Sequence, residues 1–345
     1  MYMTTSLIRS GVSKLGRFAA IAAGIFVGLG TLPLSAEEIV GRLGYHWSPT
    51  HHSAVHAQMF ADEVNRRAKG RLRIDTFPSG QLFGIREILG AVTSGAVELG
   101  GIVGIVSFPP INKNYNVIAY PGAFASYDQQ RAFFLESEAG RKIWDDITSK
   151  SNTTLVMFDP VGPVMTFSAA RELTGVAAMK GLKARALIKS ERPMWEAFGA
   201  NTVSLPTREV YTALQTGMID TINSPPGSIK AYSWWEYLKY AQLPYQYFAD
   251  AYIMANSDWF NNLPEDLQKI IMDVGAEIGG KSTATIMQTG EDTLSEFKER
   301  GGTVTMLDGD AKAEFDALMT EQVMPGMADL VESSTLQAAQ EFSSN

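Results

Sequence analysis

The residues best suited to chemistry in this chain are its histidines. All four, His46, His51, His52 and His56, fall within eleven residues of one another. His52 and His56 are spaced to share one helix face, as zinc ligands often are, but Ser53 stands where a zinc protease carries its glutamate base. The alternative is a binding loop after the first strand, because imidazole nitrogens both donate and accept hydrogen bonds. We favour the loop and expect no metal there.

A second candidate, at 275–282, matches the phosphate-loop pattern Gly-x-x-x-x-Gly-Lys-Ser letter for letter. Such a loop must follow a buried strand, whereas Leu267, Ile270, Val274 and Ile278 have helical spacing after a helix start at Pro264. The pattern therefore indicates the middle of a long helix whose glycines let another element approach closely. After residue 36 the sequence also has no nucleophile elbow and no dinucleotide-binding glycine motif. We expect no catalytic residues and no cofactor.

Composition narrows the class of protein further. With 345 residues, 45% of them hydrophobic and 19% charged, the chain has ordinary globular composition and enough length for two lobes. Its net charge of -8 and its lack of any basic run argue against nucleic acid as a partner. The absence of cysteine excludes disulfides, cysteine-bound zinc and thiol catalysis.

The N-terminus has the pattern of a secretory signal peptide. Arg9, Lys14 and Arg17 precede an uncharged run at 18–29, and a short stretch then ends at Ala36. The uncharged run falls short of the roughly 20 residues that a membrane-spanning helix needs. We therefore expect cleavage after residue 36 and a soluble periplasmic protein.

Strands and helices alternate along the rest of the chain. A βαβαβ unit is expected, with strands at 39–45, 72–75 and 97–103, and strand-like segments return at 183–187 and 202–205. The segment 87–98 also recurs at one constant offset as 209–220, each time as a helix, a glycine and a strand. This echo predicts two similar α/β lobes. A ligand would bind between them, because open α/β sheets bind ligands at the carboxyl ends of their strands.

Three blocks of this sequence resemble the periplasmic receptors of TRAP transporters. They are Phe-Pro-Ser-Gly-Gln-Leu at 77–82 followed by Arg86-Glu87, Gly-Leu-Lys-Ala-Arg at 181–185, and the segment 209–220. The resemblance covers nearly the whole chain after residue 36. It implies an α/β fold with two lobes, two mixed or parallel sheets, hinge strands and a long bracing helix after Pro264. Lobe I would comprise 37–162 plus 251–290, and lobe II would comprise 163–250 plus 291–345.

The resemblance also implies a function. Such receptors are not enzymes; they bind organic acids and deliver them to a membrane permease with a small and a large subunit. A monomer is expected. The central ligand contact of the family is the arginine of its Gly-Leu-Lys-x-Arg motif, which is Arg185 in this sequence. Its planar guanidinium can bind a carboxylate through two parallel hydrogen bonds.

Departures from the family pattern bear on the ligand. Val164 stands where members that bind acidic sugars or dicarboxylates often carry a second arginine. Ser224 stands where an asparagine usually contacts the ligand, with Asn223 beside it as a replacement. We expect a monocarboxylate with an apolar or aromatic body. The alternatives are a C4-dicarboxylate or sugar-acid receptor and, in another class, an exported zinc hydrolase using the His46–His56 cluster. The candidate ligand-binding residues are Arg185, His46, Trp47, His51, His52, Glu87, Phe167, Arg208, Asn223, Ser224, Trp234 and Trp235.

Overall fold

A computed structural model describes residues 38–344 of the chain. The predicted signal segment 1–36 lies outside the described residues. The described part contains nine strands: β1 (Ile39–Gly44), β2 (Leu72–Phe77), β3 (Leu99–Val103), β4 (Thr153–Ser168), β5 (Lys183–Arg185), β6 (Asn201–Val203), β7 (Thr221–Ser224), β8 (Tyr240–Asn256) and β9 (Thr303–Met306).

Helices of very different length connect and cover the strands. The α-helices are α1 (His52–Ala68), α2 (Ile88–Thr93), α3 (Gly104–Ser107), α4 (Tyr127–Glu136), α5 (Glu138–Ser151), α6 (Arg192–Ala197), α7 (Val210–Gln215), α8 (Pro226–Ala231), α9 (Ser257–Asn261), α10 (Glu265–Glu299), α11 (Gly309–Leu318), α12 (Met324–Gly326) and α13 (Ser333–Ser344). Short 3₁₀ turns occur at Lys113–Ala119, Val176–Met179, Lys189–Glu191, Thr207–Glu209 and Trp234–Glu236, and a π turn at Met319–Val323. Among the helices of residues 38–344, none combines the length and the apolar character needed to cross a membrane.

The strands form one mixed sheet in the order β2-β1-β3-β8-β4-β7-β5-β6, with β9 paired to β8. The first half-sheet is β2, β1 and β3, all parallel, and the second half-sheet is β6, β5 and β7, also parallel. The expected α/β fold with linking strands is confirmed. The two expected sheets are continuous because β4 and β8, 16 and 17 residues long, pair with each other antiparallel through both halves.

The two half-sheets contain matching units. At the offset seen in the sequence, α2 coincides with α7 and the start of β3 coincides with the start of β7. The glycines between them, Gly95 and Gly217, have φ angles of 72° and 67°, a left-handed conformation that favours glycine. β3 and β7 also hold equivalent places, each joining its half-sheet to one of the long strands. The echo is therefore a repeated helix–glycine–strand unit.

The long helix α10 confirms the helical interpretation of 275–282. It runs unbroken from Glu265 to Glu299 after Pro264 and is about 50 Å long at 1.5 Å per residue. Gly275 and Gly279 face β4 so closely that a Cβ on either would overlap the carbonyl oxygen of Val156 or Phe158. Glycine is needed there because the helix and the strand are in backbone contact.

The apolar core is divided into three main clusters. The largest surrounds the first half-sheet and contains Leu43, Phe60 and Ile88. Two smaller clusters lie around the second half-sheet, one with Phe167 and the other with Trp195. The largest cluster also includes Ala339 of α13, so the C-terminal helix packs against the first half-sheet side of the molecule.

Candidate functional site

A cavity lies where the carboxyl ends of the parallel strands of both half-sheets meet. One wall follows β1 and β3, the other follows β5 and β7, and the middle segments of β4 and β8 form its floor. The volume of this cavity is about 70 Å³, which suits a compact ligand. Of the candidate residues, the cavity is lined by His46, Trp47, His51, Arg185, Asn223, Ser224 and Trp234.

Arg185 supplies the positive charge of the cavity. It ends β5, and its side chain is only 3% exposed. Nε donates to the carbonyl oxygen of Leu205 at 3.2 Å and Nη2 donates to Thr207 Oγ1 at 3.1 Å. No acidic side chain of residues 38–344 lies within 4.0 Å of it as an ion-pair partner, although the charge of Glu191 is close enough to favour the protonated guanidinium. Burial lowers the pKa of Arg185 to about 10, so the guanidinium remains charged at neutral pH with N–H groups left for a ligand.

Asn223 presents an amide donor to the same space. Its Oδ1 accepts hydrogen bonds from Thr166 Oγ1 at 3.0 Å and from Gln246 Nε2 at 3.2 Å, which fixes the orientation of the amide. Its Nδ2 is buried and has no hydrogen-bond partner among the described residues. A buried amide without a partner is unfavourable, and a ligand oxygen would satisfy it. The neighbouring Ser224 lines the cavity but donates to the carbonyl oxygen of Pro225 at 3.2 Å.

Two histidines and a tryptophan form the wall that follows β1. His46 lines the cavity, and its pKa is lowered to about 3 by burial and by the charge of Arg185. His51 caps α1 by accepting from Ser53 N at 3.1 Å, and burial holds its pKa well below the usual range. Both imidazoles are therefore neutral near pH 7. Trp47, which is fully buried, stacks on the His51 ring with centroids 6.1 Å apart.

His52 and His56 lie behind this wall rather than in it. His52 stacks on His51 with ring centroids 4.3 Å apart. His56 Nδ1 is 2.7 Å from Asp159 Oδ1, which also accepts from Ser282 Oγ of α10 at 2.6 Å. Within residues 38–344 no group of three or more His, Cys, Asp and Glu side chains is arranged to hold a metal ion. The four histidines thus connect the cavity to the strand β4 and the helix α10.

Apolar surface covers much of the remaining cavity wall. Val164, at the position of the missing second arginine, is buried and lines the cavity. Trp234 lines it too and stacks on Tyr232 with ring centroids 4.9 Å apart. The cavity therefore combines a fixed cation and an amide with an apolar surround.

Besides His52, the structure leaves four more of the candidate residues outside the cavity lining. Phe167 packs in the core against Phe297 of α10, with ring centroids 5.8 Å apart. Trp235 lies outside the cavity lining, beneath the guanidinium of Arg300 at 4.2 Å from its ring centroid. The other two, Glu87 and Arg208, have side-chain atoms close to Gly84, also outside the lining.

The lining residues that were not found from the sequence include an acid and a phenol that contact each other. Glu191 and Tyr247 both face the cavity, and the Tyr247 hydroxyl donates to Glu191 Oε1 at 3.3 Å. Glu191 stands in a segment with helical spacing, where a glutamate is usually solvent-exposed, and Tyr247 lies in a long strand of aromatic and apolar residues. Neither position carries a signal that separates it from an ordinary surface or core residue.

A larger groove, of about 730 Å³, lies elsewhere, between α4, α5, β4 and α10. Its lining is mostly apolar. Its one buried carboxylate, on Asp250, accepts hydrogen bonds at Oδ2 from Tyr115, Gln130 and Tyr252 at 2.8 to 2.9 Å, while its Oδ1 has no hydrogen-bond partner among the described residues. Volume alone would favour this groove, but the unpaired cation and the unpaired amide favour the smaller cavity as the ligand site.

Comparison with known proteins identifies related sequences. Residues 43–328 match the model of the bacterial extracellular solute-binding proteins, family 7. The 2,3-diketo-L-gulonate-binding periplasmic protein of Escherichia coli K12 is 26% identical over 305 residues, which cover 87% of this chain and 90% of that protein. The C4-dicarboxylate-binding periplasmic protein of Rhodobacter capsulatus is 25% identical over 313 residues, covering 89% and 92%.

Solved structures show the same fold. A Bordetella pertussis extracytoplasmic solute receptor binding pyroglutamic acid has a TM-score of 0.79 at 20% identity, over 89% of this chain and 99% of that one. A TRAP periplasmic solute-binding protein from Sulfurospirillum deleyianum with bound succinate has a TM-score of 0.80 at 21% identity, over 88% and 99%.

Proposed function

Because the chain belongs to family 7 of the bacterial extracellular solute-binding proteins, the receptors of TRAP transporters, we propose that it binds a small organic acid in this cavity and delivers it to a membrane permease. The permease would consist of a small and a large subunit. The receptor would work as a monomer in the periplasm, after loss of residues 1–36. The relatives from Escherichia coli and Rhodobacter capsulatus are both named as periplasmic proteins, which supports this location.

The unpaired cation of Arg185 is the observation that carries the proposal. A buried charge is unfavourable unless it is paired, and no protein carboxylate forms an ion pair with this guanidinium in the described part of the chain. A ligand carboxylate would supply the missing partner through two charge-assisted hydrogen bonds. The unpaired Asn223 Nδ2 would donate to the same or a neighbouring ligand oxygen.

The surround of the cavity supports a monocarboxylate with an apolar body. Val164 offers no second cation, and Trp47 and Trp234 offer apolar surface. Removing apolar ligand surface from water contributes about 25 cal/mol per Å². A second ligand carboxylate against the same surface would lose its hydration without compensation. The alternative within the family is a receptor for a C4-dicarboxylate or a sugar acid, the ligands named for the relatives from Rhodobacter and Escherichia.

Parallel titration would test this choice of ligand. We would unfold and refold residues 37–345 to remove bound ligand, screen by thermal shift, and titrate succinate, glucuronate, phenylacetate and 4-methyl-2-oxopentanoate by calorimetry. We expect a monocarboxylate to bind at least about tenfold tighter than either other class, a difference of roughly 1.4 kcal/mol. Tighter binding of succinate or glucuronate would contradict the monocarboxylate assignment and leave the receptor function standing.

Two lobes closing on the ligand are part of the proposal. With lobe I as 37–162 plus 251–290 and lobe II as 163–250 plus 291–345, the cavity would be the interlobe cleft. Separate core clusters around the two half-sheets support two lobes, but Ala339 of α13 packs in the cluster of the first half-sheet, which argues for placing the C-terminal helix with lobe I. A fall in the radius of gyration on ligand addition, measured by small-angle X-ray scattering, would be expected; an unchanged radius at saturating ligand would argue against closure.

The zinc hydrolase alternative gains no support from the histidines. His51 caps a helix, and His56 is engaged by Asp159. Zinc titration followed by elemental analysis, with an ester and a peptide substrate as activity probes, separates the two classes of function. Stoichiometric zinc together with hydrolysis abolished by a chelator would favour the enzyme.

A further inference from the structure

Glu191 places a second buried charge in the proposed ligand cavity. It closes the 3₁₀ turn Lys189–Glu191 that follows β5, and it is only 5% exposed. It lines the same cavity as Arg185, six residues earlier in the chain. Within residues 38–344 the two side chains form no ion pair with each other. The cavity therefore has a positive pole and a separate negative pole.

The protein leaves part of the Glu191 carboxylate free. Oε2 accepts from the backbone N–H of Leu187 at 2.9 Å, and Oε1 accepts from the hydroxyl of Tyr247 at a long 3.3 Å. An ionised carboxylate offers about four acceptor positions. The backbone N–H of Ile188 also favours the ionised carboxylate, and all of these donors are neutral, so they fix the orientation of the carboxylate without neutralising it. A cationic donor from a ligand would occupy a position that no protein cation occupies.

Charge balance then restricts the ligand. A simple monoanion bound to Arg185 would add an uncompensated negative charge to a buried space that already contains Glu191. An amino or imino acid carries a carboxylate for one pole and an ammonium for the other, so the total charge of the cavity is unchanged on binding. The small volume, about 70 Å³, keeps both poles within reach of one compact molecule.

We propose that the acid bound by this receptor is a compact amino or imino acid whose ammonium group donates to Glu191 while its single carboxylate binds Arg185. This inference rests on the proposed function and narrows its ligand class. It assigns Glu191 as the residue that determines specificity for the nitrogen. Burial raises the pKa of Glu191 and the nearby Arg185 opposes that rise; a bound ammonium would oppose it further.

Matched ligand pairs test the inference without any mutation. The members of each pair have similar shapes and differ in the cationic nitrogen: L-proline with cyclopentanecarboxylate, L-leucine with 4-methylpentanoate, and 4-aminobutyrate with butyrate. In the first pair a CH₂ group replaces the ring nitrogen, and in the other two a hydrogen replaces the amino group. Calorimetry on ligand-free wild-type protein is expected to show the ammonium-bearing member binding at least about tenfold tighter in at least one pair. Equal or tighter binding of the ammonium-free member in every pair that binds would overturn the inference.

Variants assign the preference to one side chain. In Glu191→Gln the preference within the pair should fall below about threefold, while Glu191→Asp, which keeps the charge, should retain more of it. Glu196→Gln, on the exposed face of α6, is the matched control and should behave as wild type. A preference that persists in folded Glu191→Gln would also overturn the assignment.

The outcomes separate this inference from the proposed function. Binding of ammonium-free acids that equals or exceeds that of their ammonium-bearing counterparts, and that disappears in Arg185→Ala, would keep the receptor function and remove the inference. A protein that binds none of these acids, nor any acid of the earlier titration, would remove both.

Discussion

Replacing Arg185 by alanine is expected to abolish acid binding while the fold persists. Arg185→Ala removes the one cation among the residues that line the cavity and leaves the strands on either side of β5 paired. It also frees the Leu205 carbonyl oxygen and the Thr207 hydroxyl, both of which a water molecule can satisfy in the vacated space. Glu191 then loses its neighbouring cation and becomes easier to protonate.

The size of the effect follows from the hydrogen bonds available. Two of the five guanidinium N–H groups are used by the protein, and the others are left for the ligand. Hydrogen bonds to charged groups contribute about 1.5–3 kcal/mol each, so a bidentate pair contributes roughly 3–6 kcal/mol. At 1.4 kcal/mol per tenfold, affinity should fall by at least about 100-fold. Arg185→Lys should also bind poorly, because an ammonium keeps the charge but loses the forked geometry.

The assay is calorimetric titration of the acid that gives the largest thermal shift with wild-type protein. Far-UV circular dichroism and thermal unfolding would establish that each variant is folded. Lys183→Ala is the control, because Lys183 is a cation on the same strand whose half-exposed side chain pairs with Asp220 outside the cavity. Folded Arg185→Ala that binds within about tenfold of wild type would refute the role of this guanidinium.

Two predictions concern stability. Gly275→Ala should destabilise the protein by about 1–3 kcal/mol in urea unfolding, because its methyl group would overlap a carbonyl oxygen of β4. The control Gly280→Ala, which has open space around it, should leave the stability unchanged or raise it by up to about 1 kcal/mol. Equal effects of the two substitutions would contradict the close contact of α10 with β4. Burial raises the pKa of Asp250 to about 6 in the folded state, so the folded protein binds this proton more tightly than the unfolded chain does. The contribution of the protonated carboxyl to the free energy of unfolding is complete below the unfolded pKa near 3.8 and is lost as pH rises through about 6. The free energy of unfolding of Asp250→Asn, taken relative to that of wild type, should therefore be greater at pH 7.5 than at pH 5. The expected change is about 1.4 kcal/mol, because pH 5 lies one unit below the folded pKa. A difference between the two proteins that does not depend on pH would count against the raised pKa.

Local patterns in the sequence predicted much of the architecture. Helical spacing around 264–278 gave the long helix, and the repeated segment gave the matched units ending in β3 and β7. The continuity of the sheet was not predictable in the same way, because it depends on pairing between β4 and β8, which are distant in sequence. Hydrophobic periodicity contains no information on which distant strand will be the partner.

The site was predictable only where a motif or a strand end located the residue. Arg185 and Asn223 lie in quoted blocks or directly beside them, and both line the cavity. Trp234 and Trp235 could not be distinguished by type. Adjacent residues in a 3₁₀ turn point about 120° apart, so one faces the cavity and the other lies under an arginine. Glu191 could not be found, since nothing local marks its carboxylate as buried.

The path of β8 through the sheet has a consequence for the order in which the protein is made and folds. The first half-sheet ends at β3, whose neighbour is residues 251–255 of β8, so it remains incomplete until synthesis has passed residue 256. Such distant pairings give slow folding, because a long loop must close before the contact forms. A growing chain therefore cannot complete the first half-sheet until about three-quarters of it has been synthesised. Under the proposed periplasmic location, that delay would favour passage through a translocation channel before folding is complete.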